Sequence, residues 1–88
     1  MCYSLELKQK AIDQLTKINP SIQQRIIKKL QWFEENFEKT IPLPLTGNLS
    51  GFYKIRRGDY RVIYTFEISN KIITIHEIGH RKDIYEGR

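Results

Sequence analysis

The chain is short of several things, and each shortage closes off a class of protein. It has one cysteine, Cys2, so no disulfide can form within it and stability has to come from packing. A reducing compartment suits such a chain, and a cytoplasmic location is expected. Apolar runs are short and broken by charges, so no stretch reads as a membrane span or a signal peptide. There is no P-loop, no dinucleotide fingerprint and no Ser-His-Asp signature. Cys2, His76 and His80 lack ligand spacing, so neither a metal site nor a cofactor is expected. Repeats, linkers and low-complexity segments are missing too, and 88 residues are expected to form a single domain over 1–88 with a small core. Even charge runs out in one place. Residues 40–53 hold no Asp, Glu, Lys or Arg, and Pro42, Pro44 and Gly47 interrupt regular structure there. This segment reads as a loop packed along the domain, with Leu43, Leu45 and Leu49 partly buried.

What is present has a clear order. Tyr3, Leu5 and Leu7 alternate as in a short strand over residues 2–7. Ala11, Ile12, Leu15 and Ile18 follow at helical spacing. Asn19 and Pro20 suit an N-cap and a first helical position, and Ile22, Ile26, Leu30, Phe33 and Phe37 then recur at steps of four and three. Two helices with so short a link predict an antiparallel hairpin. Three strands follow, near 51–57, 60–67 and 72–78. The last has an ambiguous register, since Ile72, Ile73, Ile75 and Ile78 do not choose one face, and a central strand buried on both sides explains this. The expected fold is α+β, with the helical hairpin on one face of a mainly antiparallel, four-stranded sheet.

The net charge is +5, and four Lys/Arg against one Asp in residues 54–61 supply +3 of it. A patch this focused favours a polyanionic partner. Gly58-Asp59 reads as a two-residue hairpin loop with positive φ at its first residue. That loop sets Arg57 opposite Tyr60, Arg56 opposite Arg61, Ile55 opposite Val62, Lys54 opposite Ile63 and Tyr53 opposite Tyr64. Tyr53, Ile55, Val62 and Tyr64 then share a core face, and Lys54, Arg56 and Arg61 share the other. Like charges directly opposite each other are destabilising, so this face is arranged to receive an anion. With helices on the apolar side, the basic side is expected to lie open.

A second constellation lies in the tail, where His80, Arg81, Lys82, Asp83 and Tyr85 leave the last strand close to the start of its neighbour at Arg61. These residue types suit RNA cleavage without a metal. Arg61 and Arg81 can hold the charge that builds on phosphate. Lys54, crowded by Arg56 and Arg61, is a candidate base, and His80 a candidate base or acid because histidine titrates near neutrality. Tyr85 can stack on a nucleobase or orient the phosphate. His76 reads as structural, and Glu77 and Asp83 as partners that position the arginines.

The segment Gly51–Tyr64, GFYKIRRGDYRVIY, followed by Ile78–Tyr85, IGHRKDIY, resembles the RelE branch of the RelE/ParE superfamily of type II toxins. Together with the helical hairpin before them, these segments extend the likeness over essentially the whole chain. The resemblance implies a metal-independent toxin that cuts mRNA in the ribosomal A site, with ribosome and mRNA as partners. It also implies a RelB-like antitoxin, a free monomer and a hetero-oligomer once neutralised. By position, Lys54, Arg61, Arg81, Tyr85 and His80 become the catalytic set, and Arg56, Arg57 and Lys82 contact the substrate. Arg56 stands where some members carry a second lysine, and arginine is a poor proton acceptor, so Lys54 or His80 takes the base role. The same superfamily offers a rival, a ParE-like inhibitor of DNA gyrase, and a further rival is a module that binds RNA without cutting it. An open basic face also predicts an acidic or amphipathic antitoxin segment that covers the helices and sheet edge and displaces the tail around Tyr85.

Overall fold

The computed structural model describes residues 3–80. The element order is β1 (Ser4–Leu7), α1 (Gln9–Thr16), α2 (Pro20–Asn36), β2 (Leu43–Pro44), β3 (Tyr53–Arg57), β4 (Tyr60–Glu67) and β5 (Ile72–His80), with single 3₁₀ turns at Phe37–Lys39 and Gly47–Leu49. One mixed sheet carries the strands in the order β1-β5-β4-β3-β2. The β1–β5 pair is parallel and the other three pairs are antiparallel. The expected α+β arrangement holds, with a fifth strand where a loop was expected. Among the described residues no helix is long and apolar enough to cross a membrane.

Local chemistry explains the helices. The Asn19 side chain accepts the Ser21 N–H at 2.9 Å, and Pro20 occupies the first helical position of α2, where its missing N–H costs nothing. Spacing then puts Ile26, Leu30 and Phe33 on one buried stripe, which Phe37 extends. Ala11 is the buried residue of α1, whereas Ile12, expected in its stripe, is 39% exposed. Gln23 Nε2 donates to the Leu15 carbonyl at 2.8 Å and ties the start of α2 to the end of α1.

The main core lies between the helices and the sheet. Tyr64, Ile73, Ile75, Val62, Ile78 and Ile55 meet Ile26, Leu30, Phe33 and Phe37 there. Its centre is aromatic, with the Phe33 ring 5.1 Å from Phe37 and 5.0 Å from Tyr64, both edge-on. Burial pushes the Tyr64 phenol up to about 12, with a smaller push from Tyr53.

β5 shows why its register looked ambiguous. It does lie inside the sheet, between β1 and β4. The decisive cause is a bulge: Tyr64 pairs with Ile75 but Ile63 pairs with Glu77, so His76 is an extra residue. A one-residue slip exchanges the two faces of a strand. Odd-numbered Ile73 and Ile75 and even-numbered Ile78 therefore all reach the helix-side core.

The uncharged segment does more than connect. Leu43 and Pro44 pair with Lys54 and Tyr53 as the edge strand β2. Ladder hydrogen bonds alternate in direction, so Pro44 falls opposite a position whose N–H and C=O point to β4, and its missing donor is harmless. Leu45 N donates to the Phe52 carbonyl at 2.9 Å and Phe52 N to Leu49 at 3.0 Å, with Gly51 at φ +96° turning the chain into β3. The folded loop lays Leu45, Leu49 and Phe52 over Ile63 on the side of the sheet away from the helices. That face is thus half covered rather than open. Leu45 and Ile63 are buried, and Leu43, expected to be partly buried, is 49% exposed.

Candidate basic face and its surroundings

The β3–β4 hairpin has the register that its loop demands. Gly58 sits at φ +61°, and pairing runs Arg57↔Tyr60, Arg56↔Arg61, Ile55↔Val62, Lys54↔Ile63 and Tyr53↔Tyr64. Arg57↔Tyr60 closes a two-residue loop and exchanges hydrogen bonds, so Arg56↔Arg61 is a non-hydrogen-bonded pair. Such pairs bring Cα atoms within about 4.5 Å and side chains close together. Two guanidinium-bearing side chains therefore start from neighbouring backbone positions on one face, which Lys54 shares two pairs further along. Arg56 is exposed, while Arg61 and Lys54 are half-buried, with Nε of Arg61 inside the protein.

The bulge decides what stands beside them. Arg61 pairs with Gly79, and Tyr60 pairs with His80. The His80 ring lies edge-on to Tyr60 at 5.4 Å, and Tyr60 packs against the helix-side core. Arg57 shares that face, since it is opposite Tyr60. The structure thus brings Lys54, Arg56 and Arg61 together and sets Arg57 and His80 on the reverse side of the same sheet corner. There Arg25, Arg57 and Tyr60, with Ile22 and Asp59, line a hollow of about 230 Å³. Arg81, Lys82, Asp83 and Tyr85 lie outside the described residues.

The remaining polar residues are accounted for by packing. Thr65 Oγ1 and His76 Nε2 are 2.8 Å apart, and the Phe52 ring stands edge-on to His76 at 5.1 Å. Burial holds the His76 imidazole below its ordinary value of 6.5, and Lys8 adds to the effect. This is the structural role expected for it. Glu77 forms an ion pair with Lys10 of α1 at 3.4 Å, a partner that the sequence did not suggest.

One feature escaped the sequence reading. A cleft of about 270 Å³ opens between α2 and the outer edge of β3, with Trp32, Ile41 and Leu43 around it and Lys29, Lys54 and Arg56 at its rim. Its only signal in the sequence was Trp32 flanking the α2 stripe and Ile41 inside the uncharged segment.

Comparison with known proteins fits this geometry. The model of the family described as ParE toxin of type II toxin-antitoxin system, parDE, matches residues 5–85. Toxin RelG of Mycobacterium tuberculosis is 38% identical over 42 residues, so the match spans about half of either chain, 48% of each. Among solved structures, the toxin–antitoxin complex RelBE2 of M. tuberculosis superposes with a TM-score of 0.81 at 23% identity, covering 92% of this chain and all of that one. The archaeal RelE–RelB complex of Pyrococcus horikoshii OT3 gives 0.73 at 28% identity, covering 96% and 100%. Isolated Escherichia coli RelE gives 0.70 at 19% identity, covering 89% and 83%, a likeness of fold.

Proposed function

Since this chain belongs to the ParE toxin family of type II toxin–antitoxin systems, within the RelE/ParE superfamily, we propose that it is a cytoplasmic, ribosome-dependent mRNA endoribonuclease neutralised by a RelB-like antitoxin. The observation that carries this reading is the basic face. The non-hydrogen-bonded Arg56↔Arg61 pair, with Lys54 alongside, concentrates three cations on one face of the hairpin, an arrangement that suits an anion.

The chemistry follows from those groups. The 2′-oxygen attacks the adjacent phosphorus as its proton passes to a base, and the P–O5′ bond breaks as the leaving oxygen gains a proton. The products are a 2′,3′-cyclic phosphate and a 5′-hydroxyl. Arg61, partly enclosed and permanently charged, faces the oxygens on which charge develops. Arg56 holds the flanking backbone as an exposed phosphate contact. Lys54 shares their face and is the better-placed base, because His80 stands with Tyr60 on the reverse side. Gly79 lies beside Arg61, and to Arg81 and Tyr85, outside the described residues, this reading gives leaving-group stabilisation and base stacking. Arg57 and His80 can meet RNA only around the rim of the sheet corner, and Lys82 keeps a backbone-contact role.

A second reading has its own support, because the matching family model is that of ParE toxins. On that reading the target is DNA gyrase. Primer extension on a translated mRNA, run beside a gyrase supercoiling assay, separates the two. Cuts at fixed codon positions that require ribosomes support the nuclease. Intact transcripts with blocked supercoiling refute it, and intact transcripts with working gyrase leave only a binder of RNA.

A further inference from the structure

Resting on the reading of this chain as a nuclease that uses Arg61, we propose that Gln14 of α1 is a positioning residue for the cleavage: its side-chain carbonyl locks β5 in the bulged register that seats Gly79, rather than Ile78, beside Arg61. Strand β1 covers only the first part of β5, from Ser4↔Ile72 to Leu7↔Ile75. From His76 to His80, among the described residues, no strand lies along the outer edge of β5. Helix α1 takes over there. Gln14 Oε1 accepts the Ile78 N–H at 2.8 Å, and Lys10, one turn earlier on the same helix face, pairs with Glu77 at 3.4 Å.

The groups that face this edge show what the bond selects. Before the bulge an odd-numbered residue faces outward, since the Ile75 carbonyl accepts the Lys8 N–H at 2.9 Å. After it an even-numbered residue does, since the Ile78 N–H meets Gln14. Backbone groups alternate sides along a strand, so the change from odd to even is the one-residue slip itself. Continued without the extra residue, the pairing Tyr64↔Ile75 would set Arg61 opposite Ile78 and Tyr60 opposite Gly79. The Ile78 N–H would then point at β4 and away from Gln14. The bond can therefore form only in the bulged register. Burial of Ile78 in the helix-side core favours the same register, and Gln14 adds to it, because an N–H left without an acceptor in this partly buried place is costly.

What the register delivers is the space beside Arg61. Paired residues share a face, so residue 79 stands on the basic side with Arg61, and being glycine it adds no side chain there. The unbulged strand would put the branched side chain of Ile78 in that place, crowding the guanidinium that this reading sets against a phosphate. Alternation also makes Arg61↔Gly79 a pair that exchanges hydrogen bonds, so the Gly79 amide reports on the lock.

The test uses the whole chain on ribosomes that carry a translated mRNA, in single turnover. Gln14→Met keeps the shape of the side chain and loses the acceptor. It should speed hydrogen exchange at the Gly79 amide and lower the maximal cleavage rate, each about tenfold, with the half-saturating toxin concentration within about twofold of the parent. Gln14→Glu keeps an acceptor at the same reach and should restore the rate to within about threefold of the parent. Glu34→Met removes the acceptor of the Leu5 N–H, on the same side of the sheet but away from the bulge, and should cleave within about twofold of the parent. Gly79→Ile puts the branched side chain beside Arg61 without any slip and should lower the maximal rate about tenfold or more. Parental cleavage by Gln14→Met, or equal losses in Gln14→Met and Glu34→Met, overturns the proposal. Parental cleavage by Gly79→Ile overturns it too, and decides the case if Gln14→Met does not fold. A parent chain that leaves mRNA intact refutes the nuclease reading instead, and the exchange rate at Gly79 in Gln14→Met then decides the lock by itself.

Discussion

The two faces of the sheet solve opposite problems. Towards the helices, rings and aliphatics from seven segments of chain lock together, and twelve of the described residues form one buried cluster. Away from them, among the described residues, Leu45 of the uncharged loop is buried against Ile63 of the sheet, and beyond that loop the surface turns basic. Among the described residues the larger cluster lies on the first face and the smaller one on the second. The contrast teaches that a small domain can carry destabilising like charges if a separate core absorbs their cost.

The comparison can be broken at its strongest point. Phe33→Ala removes a ring in edge contact with Phe37 and Tyr64 and should cost about 3–5 kcal/mol in denaturant unfolding, whereas Ile63→Ala, whose loop can settle, should cost about 2 kcal/mol. Equal losses would mean that the loop face is a second full core. Next, Arg61→Ala should lower mRNA cleavage by about 10²–10³, equivalent to about 2.7–4 kcal/mol of transition-state stabilisation. Cleavage at the parental rate would remove Arg61 from the mechanism.

Arg56→Ala sharpens the contrast from the other side. It relieves the cross-strand repulsion with Arg61 and should stabilise the fold by about 0.2–1 kcal/mol in a melting experiment, while weakening RNA binding and flattening its salt dependence. A destabilised variant would show that Arg56 supports the fold after all. The smallest effect belongs to His76. Its folded pKa is depressed, so its contribution is complete above 6.5 and is lost as pH falls through the lowered value. The thermal midpoint should therefore drop modestly between pH 7 and 5, first through loosening near Phe52, and His76→Gln should flatten that slope. An unchanged slope in the variant assigns the drop to other groups.

Local rules carried a good deal of this molecule. Gly58-Asp59 fixed the hairpin pairing from Tyr53↔Tyr64 to Arg57↔Tyr60, because a two-residue loop with positive φ at its first position permits one register. The α2 stripe and the Asn19 cap were equally plain. Leu43–Pro44 was not, since proline argues against a strand unless the strand lies at an edge and the proline faces a silent position. The candidate site was legible only in part. Lys54, Arg56 and Arg61 were grouped correctly on one face, but nothing in the residues near His80 revealed which face it would take.

That choice marks the boundary between sequence and tertiary structure. The sequence by itself determined the order of elements, the faces of the hairpin and the concentration of charge, because each depends on periods and turn geometries within a dozen residues. Only the assembled sheet decided the bulge at His76, which turned Ile78 and His80 towards the helices and left Gly79 beside Arg61. The extra residue gains its energy from burying Ile73, Ile75 and Ile78 on one side, a contest between distant packing partners that no local pattern records.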